Sequence, residues 1–384
     1  MMTTRKRLFF YSDAPEFGGH EAMTVEAARH LAASKQDLDV RFAFYQKNKQ
    51  LAMKLLEIQR CSGNLELKTL QYGSASLQAM RTLLNSRKVD SIVQLMERAQ
   101  PDMVIVSQGR IESGSMGLLA AKRAGLRAIS YLPMAHHTAV SGKPIATGLR
   151  EKINRYFYRL PDKIVTISEG ARRMLRARGV VCDVAVVPNG VAVRAIRPSE
   201  RQTFRVAHGI GNDEYVVAVF GRIAFRQKAQ DFAVETIATF RRELLGCRFL
   251  FIGSGPDEQQ LKTKISSLDL ARRAQVLPWN DDPAEVYAGI DMLLIPSRFE
   301  GVPLVMLEAM SCGLPIVASN VDGMAELLPS EWLFACGNPK AMADTILQVR
   351  NGDNASLAQS NKEFVLSECS IARFGNRFSE AVLA

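Results

Sequence analysis

The sequence predicts an α/β protein of two halves, each a mostly parallel sheet covered by helices on both faces. Short apolar runs of strand length alternate with longer helical stretches from end to end. This rhythm breaks once, at the turn-rich Val187-Pro-Asn-Gly-Val191 and Arg197-Pro-Ser-Glu200, which puts a domain boundary near residues 195–212. Candidate ligand residues recur just past strand ends in both halves, where open α/β sheets hold ligands.

Lys6–Ser12 reads as the first strand. Glu16-Phe-Gly-Gly-His-Glu21 and a helical pattern over Ala22–Ala33 follow. A glycine pair between a first strand and its helix suggests a phosphate-facing turn, or one kept for packing. Val40–Tyr45, Leu65–Leu70, Met103–Ser107, Arg127–Leu132, Ile164–Ile167 and Val184–Val187 are the next strands. Helices are expected between them at Leu51–Gln59, Leu77–Arg98, Met116–Arg123, Leu149–Arg159 and Gly170–Arg178. In the second half the strands are Val216–Phe220, Phe249–Ile252, Gln275–Leu277, Met292–Ile295, Ile316–Ala318 and Trp332–Phe334. Its helices include Gln230–Leu245, Asp257–Leu268, Pro283–Gly289, Val305–Ser311 and Pro339–Arg350, and the tail is helical. The expected domains are 1–198, 199–365 and a C-terminal helix, 366–384, able to pack back on the first.

A chain of 384 residues has room for two or three ordinary domains. No apolar run approaches the ~20 residues of a membrane span. The N-terminus is polar and basic, and Leu8-Phe-Phe-Tyr11 is too short for a signal-peptide core. The six cysteines form no CxxC and no metal spacing, so reduced cytosolic thiols are expected. Charge is uneven. Residues 1–198 hold 31 Lys and Arg against 16 Asp and Glu, and residues 199–384 hold 18 against 23. A basic half implies an anionic partner such as a membrane surface, a phosphorylated acceptor or nucleic acid. Nucleic acid is not expected, because the cations are spread over many helices without aromatic interleaving.

The most informative stretch runs from Ser297 to Gly313. It reads as a turn and a helix after the strand Met292–Ile295, with Glu300 in the turn and Glu308 on the helix. Pro303 suits the helix start, and Gly313 with Pro315 suits its end. Gly301 lets a ligand approach the backbone, and free N–H groups at Val302, Leu304 and Val305 would seat a phosphate. Glu308, among apolar neighbours, needs a hydroxyl or cation partner.

Gly221 and Arg222 follow the strand Val216–Phe220, with Lys228 six residues on. An arginine fork and a lysine point charge beside a permissive glycine suit a diphosphate. Gly253-Ser-Gly255 could line a nucleotide pocket or make a tight turn. Trp279 could sit near a base or be structural. Of His136 and His137, past the strand Arg127–Leu132, one could bond a sugar or phosphate oxygen. Adjacent histidines without carboxylates are no zinc site. Asp37-Leu-Asp39 resembles a metal-binding DxD by letters, but leads into a strand at the wrong end.

Glu300 with Glu308, Gly221-Arg222 with Lys228, Gly253-Ser-Gly255, Pro188-Asn-Gly190 and Gly18-Gly19 together resemble the retaining GT-B glycosyltransferases of family 4, nearly end to end. The resemblance implies two Rossmann-like domains facing across a cleft. The C-terminal domain would hold a nucleotide-sugar donor and the N-terminal one an acceptor. It implies that Arg222 and Lys228 hold the diphosphate, Glu308 the ribose and Glu300 the transferred sugar. Gly18 and Gly19 would face the phosphates, His136 or His137 the sugar, and His20 with His137 the acceptor. Three positions depart from the common pattern: Ala229 for Gly after Lys228, Ala192 for an acid, and His20 for Ala after the glycine pair.

The expected function is thus retaining transfer of a sugar to a glycan or lipid-linked hydroxyl, without metal or other cofactor. The setting would be cell-surface polysaccharide or glycolipid assembly. A nucleotide-sugar epimerase of similar fold and a non-catalytic partner subunit are the alternatives. The mixed basic and apolar stretch Leu149–Leu160, with Arg172, Arg173, Arg176 and Arg178 nearby, suggests docking on the cytoplasmic face of an anionic membrane. In the other reading its aromatic residues pack inward.

Overall fold

The computed structural model describes residues 5–34, 38–136, 147–192, 196–279 and 283–384. The chain forms two compact units. One comprises Met1–Gly190 with Ile371–Ala384, the other Val191–Ser370.

The first unit is built on seven parallel strands: β1 (Lys6–Ser12), β2 (Leu38–Tyr45), β3 (Leu65–Leu70), β4 (Met103–Ser107), β5 (Ala128–Tyr131), β6 (Lys163–Thr166) and β7 (Asp183–Val186). Their order is β3-β2-β1-β4-β5-β6-β7. The central strands are apolar over Leu8–Tyr11 in β1 and Met103–Val106 in β4 because both faces are covered there; every residue of β4 is buried. Strand order reverses between β1 and β4, so the loops after these two strands flank the sheet's crevice.

The helix Gly19–Ala33 packs on the last helix, Ile371–Leu383. The latter buries Phe374, Phe378 and Val382, and Phe378 meets Tyr131 edge-on at 5.7 Å between ring centroids. Gly375 allows the close approach, since a Cβ there would lie 2.4 Å from the His30 ring. The helical stretch expected over Leu77–Arg98 is two helices, Gln78–Leu84 and Ser86–Ala99. Asn85 divides them, its side chain accepting the Lys88 N–H at 3.3 Å as an N-cap.

The second unit holds six parallel strands: β8 (Tyr215–Phe220), β9 (Cys247–Ile252), β10 (Ala274–Leu277), β11 (Met292–Ile295), β12 (Ile316–Ser319) and β13 (Leu333–Phe334). Their order is β10-β9-β8-β11-β12-β13. The reversal falls between β8 and β11, whose following loops carry Arg222, Lys228 and Glu300. Gly289 admits the Phe204 ring, which a Cβ would meet at 2.0 Å, and this seats the helix Pro198–Ala207 on Pro283–Gly289. Among the described residues, no helix is long and apolar enough to cross a membrane.

Candidate functional site

The β8 and β11 loops converge on Glu300, which is only 5% exposed. Lys228 Nζ lies 2.6 Å from its Oε1. The Ser297 hydroxyl donates to the same oxygen at 2.8 Å, and Gln227 Nε2 donates to Oε2 at 3.3 Å. The charge is therefore both paired and hydrogen-bonded, as burial requires. Lys228 ends the single turn Phe225–Lys228, and Ala229 joins it to the helix Gln230–Thr239. Ala229 is buried at φ 53°, in the left-handed region that favours glycine. Arg222 is exposed just past the end of β8.

Gly221 (φ 135°) and Gly253 (φ 146°) end β8 and β9 side by side. A Cβ on Gly253 would stand 2.0 Å from the Gly221 carbonyl oxygen, and one on Gly255 would stand 2.1 Å from that of Ile223. Ile223 N–H donates to the Ser254 carbonyl at 2.9 Å. These glycines let two backbones touch, which fixes where Arg222 and Lys228 begin.

Leu304–Ser311 is the helix after Glu300; Pro303 is its N-cap, with Leu304 and Val305 on the first turn and half-buried. Glu308, four residues in from Leu304, accepts the Tyr287 hydroxyl at 2.7 Å. Burial pushes the Glu308 carboxyl above the usual carboxylate range, and the Tyr287 bond partly offsets this. Burial and the nearby Glu308 likewise push the Tyr287 phenol up. Tyr287 meets Phe220 edge-on at 5.6 Å, and Phe220 stacks on Trp279 at 4.8 Å. Trp279 is 46% exposed, so one side rests on Phe220 while much of its surface is open.

In the first unit Asp13 and Gly18 lie in the loop after β1, and Gly19 and His20 open the helix that follows. Gly18 N–H donates to Glu21 Oε2 at 2.9 Å, and the buried Glu21 also pairs with His20 Nε2. The His20 ring lies over Gly109, where a Cβ would be 2.7 Å away. Asp13, fully buried, accepts the Ser74 hydroxyl at 2.6 Å and the Gly114 N–H at 2.9 Å, tying three loops together. Burial raises its carboxyl above the ordinary value. Asn189 accepts the Tyr131 hydroxyl at 3.2 Å, and Gly190 N–H meets Met23 Sδ at 3.3 Å. His136 is half-buried past the end of β5; His137 and Asp37 lie outside the described residues.

The basic stretch 149–160 is divided between core and surface. Arg150 points inward and forms a bidentate pair with Glu112 at 3.0 and 2.9 Å. Phe157, Tyr158 and Leu160 belong to the core. Leu149, Lys152, Arg155 and Tyr156 are exposed on one side of the helix Thr147–Phe157, and Arg159 is exposed just past its end.

Three contributors to the second-unit site escaped sequence reasoning. Ser297 and Gln227 sit three residues before Glu300 and one before Lys228, so proximity in sequence was the only signal. Tyr287, 21 residues before Glu308, had none. Among the described residues, no three His, Cys, Asp or Glu side chains are grouped to hold a metal ion.

Residues 18–190 match the family described as Glycosyl transferase 4-like domain, and residues 214–351 match Glycosyl transferases group 1. A D-inositol 3-phosphate glycosyltransferase of Mycobacterium marinum is 31% identical over 232 residues, 55% of this chain and 47% of that one. The chain thus spans about half the length of that relative. An uncharacterized glycosyltransferase of Haemophilus influenzae is 24% identical over 371 residues, 94% of each chain. Among solved structures, Anabaena HepE in complex with UDP and glucose superposes with a TM-score of 0.81 at 17% identity, covering 99% of this chain and 100% of the other. That likeness bears on the fold. Two family matches that together span most of the sequence, and two Rossmann-like parallel sheets, place the chain in the GT-B glycosyltransferases of family 4.

Proposed function

We propose that the protein transfers a sugar from a nucleoside-diphosphate sugar to a hydroxyl of a glycan or lipid-linked acceptor. The transfer retains the anomeric configuration and uses no metal. The observation that carries this reading is the pair of half-buried Lys228 and buried Glu300 at the switch point of the second sheet, with Arg222 exposed at the same strand end. A cation and a carboxylate side by side suit a diphosphate and a sugar hydroxyl side by side. Anabaena HepE, of the same fold, was solved with UDP and glucose, which supports a nucleotide-sugar donor.

In this mechanism the second unit binds the donor. Glu308, held by Tyr287, accepts hydrogen bonds from the ribose, and the open part of Trp279 takes the base. Arg222 and Lys228 bind the diphosphate, and Glu300 takes the sugar hydroxyls. As the anomeric C–O bond breaks, negative charge grows on the leaving phosphate oxygen, where the two cations stabilise it. The acceptor oxygen bonds to the anomeric carbon on the same face. Its proton passes to the departing phosphate oxygen, so the products are a glycoside and a nucleoside diphosphate. In the first unit His20 is the proposed acceptor partner, His136 the proposed sugar partner, and Gly18 and Gly19 the proposed phosphate-facing backbone.

We also propose that the acceptor is met at an anionic membrane face. The exposed face Leu149, Lys152, Arg155, Tyr156 and Arg159 supports this, as does the cation excess of residues 1–198. Each cation held near such a leaflet contributes about 1 kcal/mol.

The test is incubation with UDP- and GDP-sugars, a panel of glycan and lipid acceptors and excess EDTA. Free nucleoside diphosphate and a product with the donor's anomeric configuration are expected. An altered donor sugar without a glycoside would favour an epimerase. An inverted product would overturn retention, and activity regained only with Mg²⁺ would overturn metal independence. No change in any donor would favour a non-catalytic subunit.

A further inference from the structure

The turn that carries Glu300 belongs to no helix or strand, for β11 ends at Ile295 and the next helix starts at Leu304. Its backbone is held from elsewhere. Glu300 N–H donates to Asp322 Oδ2 at 2.7 Å, and the next residue along each segment repeats the contact, Gly323 N–H donating to the Gly301 carbonyl at 3.1 Å. The two segments touch closely, since a Cβ on Gly323 would lie 2.4 Å from the Gly301 oxygen. Asp322 itself sits at φ 49°, left-handed and not a glycine. That conformation is strained for most side chains, less so for Asp and Asn. A glycine would relieve it but could not accept the Glu300 N–H.

We infer that Asp322 is a positioning residue for sugar transfer: its carboxylate fixes the Glu300 main chain so that the Glu300 side chain meets the donor sugar in the productive geometry. The inference rests on the role proposed above for Glu300. Ser297, Gln227 and Lys228 orient the Glu300 carboxylate, and Asp322 sets the point from which that side chain starts. Misplacement by about 1 Å can lower turnover about 10²-fold.

Two substitutions separate positioning from mere support. Asp322→Asn keeps an acceptor oxygen and tolerates φ > 0. Asp322→Gly relieves the backbone and removes the acceptor. Release of nucleoside diphosphate from whichever UDP- or GDP-sugar the screen accepts gives kcat and KM, calorimetry gives affinity for the bare diphosphate, and thermal unfolding gives stability. Asp322→Gly should lower kcat by at least ~10-fold with unchanged diphosphate affinity, while Asp322→Asn should stay within ~3-fold of wild type. Normal kcat in Asp322→Gly beside an impaired Glu300→Gln would overturn this inference alone. Parallel loss of Tm and diphosphate affinity in Asp322→Gly would also overturn it, as simple support. Normal kcat in Glu300→Gln would overturn both it and the Glu300 role.

Discussion

Lys228 Nζ and Glu300 Oε1 stand 2.6 Å apart on loops that follow different strands, β8 and β11. A donor bound as proposed draws the two apart, the cation to phosphate and the carboxylate to sugar. Each is therefore expected to depend on the other. Lys228→Ala and Glu300→Gln should each lower turnover at least ~10²-fold, as should Arg222→Ala. The Lys228→Ala/Glu300→Gln double variant should lose less than the product of the two single losses, because the pair acts as a unit. Steady-state kinetics on the four proteins of this cycle measures the coupling. Strictly multiplicative losses would refute it.

Glu308 and Tyr287 should govern nucleotide affinity rather than turnover. Tyr287→Phe removes the hydroxyl that donates to Glu308 at 2.7 Å, and Glu308→Gln removes the charge. Calorimetry with the bare nucleoside diphosphate should find both variants weakened by roughly 1–3 kcal/mol, the cost of disrupting a buried hydrogen bond. Glu300→Gln should bind it nearly as wild type. Equal weakening at Glu300 and Glu308 would refute the division of roles.

Asp13 should leave a signature in the pH dependence of stability. Its folded carboxyl titrates above the ordinary value because it is buried. Folded protein then holds the proton more tightly than unfolded chain. This contribution is fully present below the unfolded value of about 3.9 and is lost as pH rises through the folded one. Asp13→Asn keeps an acceptor for Ser74 and Gly114 and cannot titrate. Its stability relative to wild type should therefore rise with pH above about 4. Thermal unfolding across a pH series reads this directly, and a constant difference between the two proteins would contradict it.

Vesicle sedimentation tests the exposed face of the helix Thr147–Phe157. Binding should require anionic lipid and weaken with salt. The triple variant Lys152→Ser, Arg155→Ser, Arg159→Ser should lose most of it without losing stability, since all three residues are exposed. Arg150→Ser should instead lower Tm, because Arg150 is buried against Glu112. Equal binding to neutral and anionic vesicles, or none, would point to a soluble acceptor.

The strands were legible because both sheets are covered on both faces, which writes them as continuous apolar runs such as Met103–Ser107. Candidate residues recur just past their ends, so Lys228 and Glu300 could be proposed from residue type, spacing and a resemblance of motifs. The short helices Phe225–Lys228 and Asp322–Leu327 were not legible. One is a single turn and the other barely longer, too short for a periodic pattern. Asp322 and Tyr287 act through contacts that are distant in sequence, and no local spacing announces such contacts. The glycines at 253 and 255 were visible, but their reason was not. They serve the approach of one backbone to another, a property of pairing between β8 and β9 rather than of either segment. Ala229 was visible only as a departure from a pattern; its left-handed φ shows what the glycine common there is for.

The helix Ile371–Leu383 carries a consequence for biosynthesis. It completes the first unit's core against Gly19–Ala33, yet it is translated after everything in Val191–Ser370. On the ribosome the N-terminal unit must wait for this piece. At the usual ~5–20 residues per second the delay is roughly 10–40 s. Throughout it, the apolar stripe meant for Phe374, Phe378 and Val382 lacks its cover. The second unit, uninterrupted in sequence, has all its residues first. Nascent chains stalled between residues 190 and 370 should therefore hold the first-made unit in its most chaperone-dependent and protease-sensitive form.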